Sequence, residues 1–210
     1  IALLGWHPAR DREILSRDEL IAEFDLGRVQ KGGAVFGVEK LEWMNAQYLR
    51  TSPIDYLVPI ALEKLASARP GEAHDPVLVR RILEVERGRM KKVADIAELA
   101  DFFFSLPAYE KDLLRWKEAT DADVLNNLER ARAALSALPP DRFQEADVRG
   151  VLDALTANGN RGPVFWPIRA ALSGKKASPD PIEIMIVLGK DESLRRIDGA
   201  IVLAAEGPRD

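Results

Sequence analysis

A chain of 210 residues, 47% of them hydrophobic, can bury one sizeable core or two small ones. The formal net charge is −4, there is no cysteine, and His7 and His74 are the two imidazoles, which excludes a disulfide framework, thiolate chemistry and a Cys/His metal site. Neither a run of about 18 apolar residues nor a basic leader with a small-residue cleavage site is present, which predicts a soluble, cytoplasmic protein with no membrane partner.

The opening apolar run, Ile1, Ala2, Leu3, Leu4 and Trp6, has no N-cap residue before it and reads as a helix entered part-way. His7, between Trp6 and Pro8, then reads as a capping or packing residue at its end. Ser16 with Glu19 makes a capping-box signature ahead of Leu20, Ile21 and Phe24. Residues 27–37, with Gly27, Gly32, Gly33 and Gly37, are too glycine-rich for helix and lack strand alternation, so they predict an ordered connector. Helical spacing resumes at Leu41, Met44, Tyr48 and Leu49. Ser52 with Pro53 and Asp55, and later Asp75 with Pro76, repeat an N-cap plus first-turn proline signal, the former leading Leu57, Ile60, Ala61 and Leu65. Phe102, Phe103 and Phe104 read as core.

Val124, Leu125, Leu128, Leu135 and Leu138 lie on one helix face, after which Pro139 and Pro140 interrupt the pattern and predict a boundary. A second bundle is expected beyond it, with Val148, Val151, Leu152 and Leu155 on its first buried face. Nine or ten helices joined by short loops are expected, and an all-α fold follows.

Charge is unevenly placed. Residues 80–92 carry Arg80, Arg81, Arg87, Arg89, Lys91 and Lys92 against Glu84 and Glu86, and residues 158–178 carry Arg161, Arg169, Lys175 and Lys176 against no acid. The rest is therefore strongly acidic. Composition alone leaves two readings, a solvated helix face or a docking face for a polyanion. No phosphate-binding glycine motif occurs, neither histidine stands in a familiar catalytic spacing, and Glu39, Asp95, Glu98 and Glu129 read as solvated-face charges. This stretch of chain is a poor enzyme candidate, and binding is the better prospect.

Two blocks carry a resemblance. Asp25-Leu-Gly-Arg-Val29, then Val35-Phe36, then Lys40-Leu-Glu-Trp-Met-Asn-Ala-Gln-Tyr-Leu-Arg50 resemble the stretch of bacterial glutamyl-tRNA synthetases that follows their KMSKS catalytic loop, and Leu3-Leu-Gly-Trp-His-Pro8 looks like the helix leading out of that loop. Pro167-Ile-Arg-Ala-Ala-Leu-Ser-Gly174 with Ser178-Pro179, then Leu188-Gly-Lys-Asp-Glu-Ser-Leu-Arg-Arg196, are similar to the family's C-terminal anticodon-binding block. Between them, residues 51–157 match by helix pattern and by Arg87-Gly-Arg89.

The resemblance implies a two-subdomain helical cage, with residues 1–50 as the end of a stem-contact region and linker, 51–138 as a first bundle and 139–210 as a second. It implies that Arg169, Ser178 and Pro179 lie at the first anticodon base and Arg89 at the third. Lys175, Lys176, Arg87, Lys91 and Lys92 are the expected phosphate contacts, since lysine positions without specifying. The implied partner is glutamate tRNA, bound by a monomer. No cofactor is expected in this stretch, while ATP and magnesium are implied for a catalytic domain upstream. Relaxed charging of glutamine tRNA, a class I lysyl-tRNA synthetase cage and a helical interaction protein are the alternatives. Phe165 and Trp166 depart from the smaller residues usual before the proline, and Asp180-Pro181 departs from the usual glycine and aliphatic. The two aromatics read either as core or as a stacking platform for a loop base. A surface ion pair with Glu183 is the plain alternative for Arg169, and a helix-end pair with Glu86 is that for Arg89.

Overall fold

The computed structural model describes residues 3, 5–8, 12–30, 32, 37–156 and 159–206, and every regular element among them is helical. Eleven α-helices follow in order: α1 Arg17–Glu23, α2 Val38–Thr51, α3 Ile54–Ala68, α4 Pro76–Glu86, α5 Ile96–Leu99, α6 Asp101–Phe104, α7 Asp121–Ala137, α8 Glu145–Asp153, α9 Gly162–Ser173, α10 Pro181–Leu188 and α11 Lys190–Ala205. The count exceeds the nine or ten expected because α5 and α6 are single turns separated at Ala100. Ile1, Ala2 and Leu4 of the opening run, Gly33 of the connector, the Val35-Phe36 match and Asn158 lie outside the described residues.

Short polar side chains start several helices as their spacing predicts. Ser16 and Glu19 form the reciprocal capping box of α1, and Thr120 with Asp123 and Asp180 with Glu183 do the same for α7 and α10. Asp75 accepts from the Val77 N–H with Pro76 in the first turn of α4. Ser52 does otherwise. Its hydroxyl turns back to the Tyr48 carbonyl and closes α2, leaving Pro53 at the start of α3 with no side-chain cap.

One continuous core runs from Leu49 to Ala204 and includes Leu57, Leu65, Ile82, Leu128, Ile168 and Ile197. Each such side chain contributes about 1.5–3 kcal/mol by leaving water. Helix α3 packs on α4, while α7 packs on α11 and α9, and α10 touches α4, α8, α9 and α11. Pro139 and Pro140 therefore end a helix without ending the packed unit. Arg81 on α4 donates to the Ile186 carbonyl on α10, tying the two groups of helices together.

Arg196 is a second tie and is 3% exposed. Its Nη1 donates to the carbonyls of Phe102 at 2.8 Å and Leu172 at 2.6 Å, and its Nε to Glu192 at 2.7 Å, so one guanidinium joins α6, α9 and α11. Hydrogen bonds from Arg195 and Arg196 pull the Glu192 carboxyl down to about 2, against the cost of its partial burial.

Other expectations need correction. Residues 6–8 are not helical, and His7 is exposed instead of packed, whereas Trp6 is buried with its ring 5.6 Å from that of Phe24. Phe102 and Phe103 are buried, but Phe104 is half-buried between His74 and Arg69. Asp95 accepts from the backbone N–H groups of Lys91 and Lys92, so it caps a turn and is not a free surface charge.

Candidate nucleic-acid interface

The turn just past α4 and the last turns of α9 both send an arginine to the loop between α9 and α10. Helix α9 buries Phe165, Ile168, Ala171 and Leu172, which leaves Trp166 and Arg169, one turn apart, on its half-buried side. Gly174 ends the helix at φ 64° with its N–H bonded to the Ala170 carbonyl, and the Ser173 hydroxyl accepts the Lys175 N–H. A Cβ on Gly174 would stand 2.8 Å from Pro107 Cγ and 2.9 Å from its carbonyl oxygen, so only glycine fits there. The loop then runs to Asp180, which caps α10.

Two arginines close on this loop. Arg169 Nη2 donates to the Lys176 carbonyl at 3.0 Å, and Arg89 Nη2 donates to the Ala177 carbonyl at 3.2 Å. Arg89 lies three residues past the end of α4, and its Nη1 also donates to Glu86 at 2.8 Å. Arg169, Arg89, Ser178 and Pro179 are therefore neighbours in space. Pro179 is buried and stiffens the loop, while the half-buried Ser178 hydroxyl reaches no farther than the Pro179 carbonyl at 3.5 Å.

Electrostatics favour a negative or acceptor-rich ligand. Burial pulls the Arg169 pKa down, the like charge of Arg89 adds to that, and Asp180 offsets part of it. No carboxylate pairs with Arg169 among the described residues, and Glu183 caps the Asp180 N–H at 3.1 Å instead of meeting it. The one acid in direct contact with the pair, Glu86, is 0% exposed. Burial pushes its carboxyl up to about 7, against the attraction of Arg89 and Lys175. Its Oε1 has no hydrogen-bond partner. Glu86 thus partners Arg89 alone, and Arg169 has no ion-pair partner among the described residues.

The expected phosphate contacts divide into two groups. Lys175 turns into the body, where it pairs with Asp101 at 2.5 Å and donates to the Glu98 carbonyl at 2.7 Å. Lys91 pairs with Glu42 at 2.8 Å, and Arg87 donates to the Ser52 carbonyl at 3.3 Å. Lys176 and Lys92 are exposed and make no ion pair among the described residues.

Of the two aromatics, Phe165 is core, 8% exposed, with Arg161 over its ring at 5.2 Å. Trp166 is not a free platform. Its indole N–H donates to the Leu113 carbonyl at 2.9 Å, the Trp116 ring stands 5.2 Å away, and the Arg169 guanidinium lies 4.4 Å above it. Sequence reading missed the burial of Glu86, and it missed Trp116. Glu86 was findable, because it continues the buried stripe of Val79, Ile82 and Leu83 at helical spacing. Nothing local marks Trp116.

This geometry stands in a known frame. The family model described as an anticodon binding domain matches residues 52–201. Glutamate–tRNA ligases of Desulforudis audaxviator and Clostridium acetobutylicum are 37% and 35% identical over 96% and 94% of this chain. The chain spans 41% of the length of each. Among solved structures, the glutamate tRNA ligase of Elizabethkingia meningosepticum in complex with its amino acid superposes with a TM-score of 0.78 at 32% identity, covering 96% of this chain and 39% of that one. The glutamate-tRNA synthetase of Elizabethkingia anophelis gives 0.77 at 31% identity over the same shares. With 150 matched residues and a shared all-helical fold, the chain belongs to the anticodon-binding domain family, in the form found in the C-terminal region of glutamyl-tRNA synthetases.

Proposed function

We propose that this chain grips the anticodon loop of glutamate tRNA, as the recognition part of a monomeric cytoplasmic glutamate–tRNA ligase that joins glutamate to its tRNA using ATP. ATP and magnesium belong to the remainder of such an enzyme, and none of the residues discussed takes part in their chemistry. Residues 1–50 are read as the end of a stem-contacting region and linker, 51–138 as the first bundle and 139–210 as the second, with α7 lending its packed face to the second.

The observation that carries the reading is the convergence of Arg89 and Arg169 on consecutive carbonyls of one loop, with donors left over on both. Arg169, Ser178 and Pro179 then meet the first anticodon base and Arg89 the third, while Lys176 and Lys92 take phosphates. Single-stranded bases splayed from a loop offer their pairing edges to such side chains. Glutamate anticodons end in cytosine, whose edge has two adjacent acceptors, and glutamine anticodons end in guanine, whose edge has two donors. A donor-only guanidinium satisfies the first and opposes the second.

The test is binding of this chain to anticodon stem-loop hairpins, followed by fluorescence anisotropy. The glutamate hairpin is expected to bind about tenfold or more tightly than one with guanine at the third position. Arg89→Ala and Arg169→Ala should each reduce the preference at their own base. Equal affinity for glutamate, glutamine and unrelated hairpins would remove the anticodon assignment.

A further inference from the structure

Among the described residues no carboxylate forms an ion pair with Arg169. A guanidinium in this position is anchored by one hydrogen bond, to the Lys176 carbonyl, and by the face of Trp166 at 4.4 Å. The two anchors differ in kind. A carboxylate partner takes up the paired N–H groups of the fork and neutralises the charge, whereas an aromatic face fixes the guanidinium plane and leaves the in-plane donors free. Arg89 illustrates the contrast, since its Nη1 is spent on Glu86.

Trp166 is itself fixed from three sides. It sits one turn before Arg169 on α9, its N–H is bonded to the Leu113 carbonyl, and the Trp116 ring lies against it at 5.2 Å with the planes inclined by 46°. Trp116 in turn rests on Gly162, where a Cβ would stand 2.4 Å from Cε2 and Nε1 of the indole. The contacts therefore run from Gly162 to Trp116 to Trp166 to Arg169, and end on the loop that carries Ser178 and Pro179.

We infer that Trp166 is a positioning residue, whose aromatic face, braced by Trp116, holds the Arg169 guanidinium in the plane and orientation in which it reads the first anticodon base. The inference rests on the assignment of Arg169 as a base reader. It adds that the stack, and not a salt bridge, sets the reader's geometry.

The test compares the unaltered chain with Trp166→Phe, Trp166→Leu, Arg169→Ala and the Trp166→Leu/Arg169→Ala double variant. The probes are two anticodon stem-loop hairpins that differ in having cytosine or adenine at the first anticodon position. Trp166→Leu should shrink the affinity ratio by about threefold to tenfold, the range expected for loss of a partly desolvated cation–aromatic contact. Trp166→Phe keeps a ring face and should hold the ratio within about twofold. In the Arg169→Ala background Trp166→Leu should change nothing further, because it acts through the arginine. Proton NMR of the unaltered chain should show the Arg169 δ-methylene signals shifted upfield by the indole ring, and this holds as a readout even where Trp166→Leu fails to fold.

If Arg169→Ala leaves the ratio unchanged, the base-reading assignment falls and this inference with it. If Arg169→Ala lowers the ratio but Trp166→Leu does not, the stack alone is wrong. Unshifted Arg169 signals, or a full additional loss in the double variant, overturn the positioning role as well.

Discussion

Arg89 and Arg169 stand 80 positions apart in the sequence and donate to the adjacent carbonyls of Ala177 and Lys176. One loop thus braces two like charges from distant parts of the chain, and burial, with the charge of Arg89 added to it, lowers the Arg169 pKa. Carbonyl oxygens tolerate this better than a neutralising carboxylate would serve a binding site, because they orient the guanidiniums while leaving the field positive.

Arg89 predicts specificity at the third base. Arg89→Gln, whose amide has an acceptor beside its donors, should narrow the gap between glutamate and glutamine tRNA by about tenfold to a hundredfold. Aminoacylation of both transcripts by the full-length enzyme measures it. An unchanged ratio would leave Arg89 as a partner of Glu86 and nothing more.

Glu86 predicts a pH dependence of stability. Its folded-state pKa of about 7 lies above the ordinary 4.5, so proton binding stabilises the fold fully below 4.5 and that stabilisation is lost as the pH rises through 7. Arg89 and Lys175 favour the charged form and Glu183 opposes it. The ionised carboxylate costs on the order of 3 kcal/mol at pH 8. Glu86→Gln should therefore flatten the fall in thermal midpoint between pH 5 and pH 8 by several degrees. Parallel curves for the two proteins would show that Glu86 does not titrate in this window.

Lys176 and Lys175 predict opposite outcomes despite their adjacency. Lys176→Ala should lower the log–log salt slope of hairpin binding by about 0.7 and leave base preference unchanged, as expected for one phosphate contact on a single strand. Lys175→Ala should leave the slope alone and lower stability instead, because its ammonium is committed to Asp101 and the Glu98 carbonyl. A slope reduced by Lys175→Ala and not by Lys176→Ala reverses these roles.

Arg196 predicts a stability defect with no direct effect on recognition. Arg196→Leu strands the Phe102 and Leu172 carbonyls and leaves Glu192 with Arg195 alone, and should cost about 3–5 kcal/mol in urea unfolding with the m-value unchanged. Arg196→Lys should recover part of this through a single ammonium. A cost under about 1 kcal/mol for Arg196→Leu would mean that those carbonyls find other donors.

Local chemistry decided what the sequence determined by itself: helix starts at Ser16 and Asp75, and buried stripes such as Leu57, Ala61 and Leu65 or Val124, Leu128 and Leu135, all set by groups within one or two turns of each other. The family motifs around Arg169 and Ser178 were legible for the same reason, being contiguous. Tertiary structure alone decided that Arg89 and Arg169 share a loop, that Lys175 turns inward while Lys176 does not, and that Trp166 is held between Trp116 and Arg169. Each of these depends on helices from distant parts of the chain meeting at a particular depth and angle, and residue spacing carries the period of a helix but not the place where its exposed face lands.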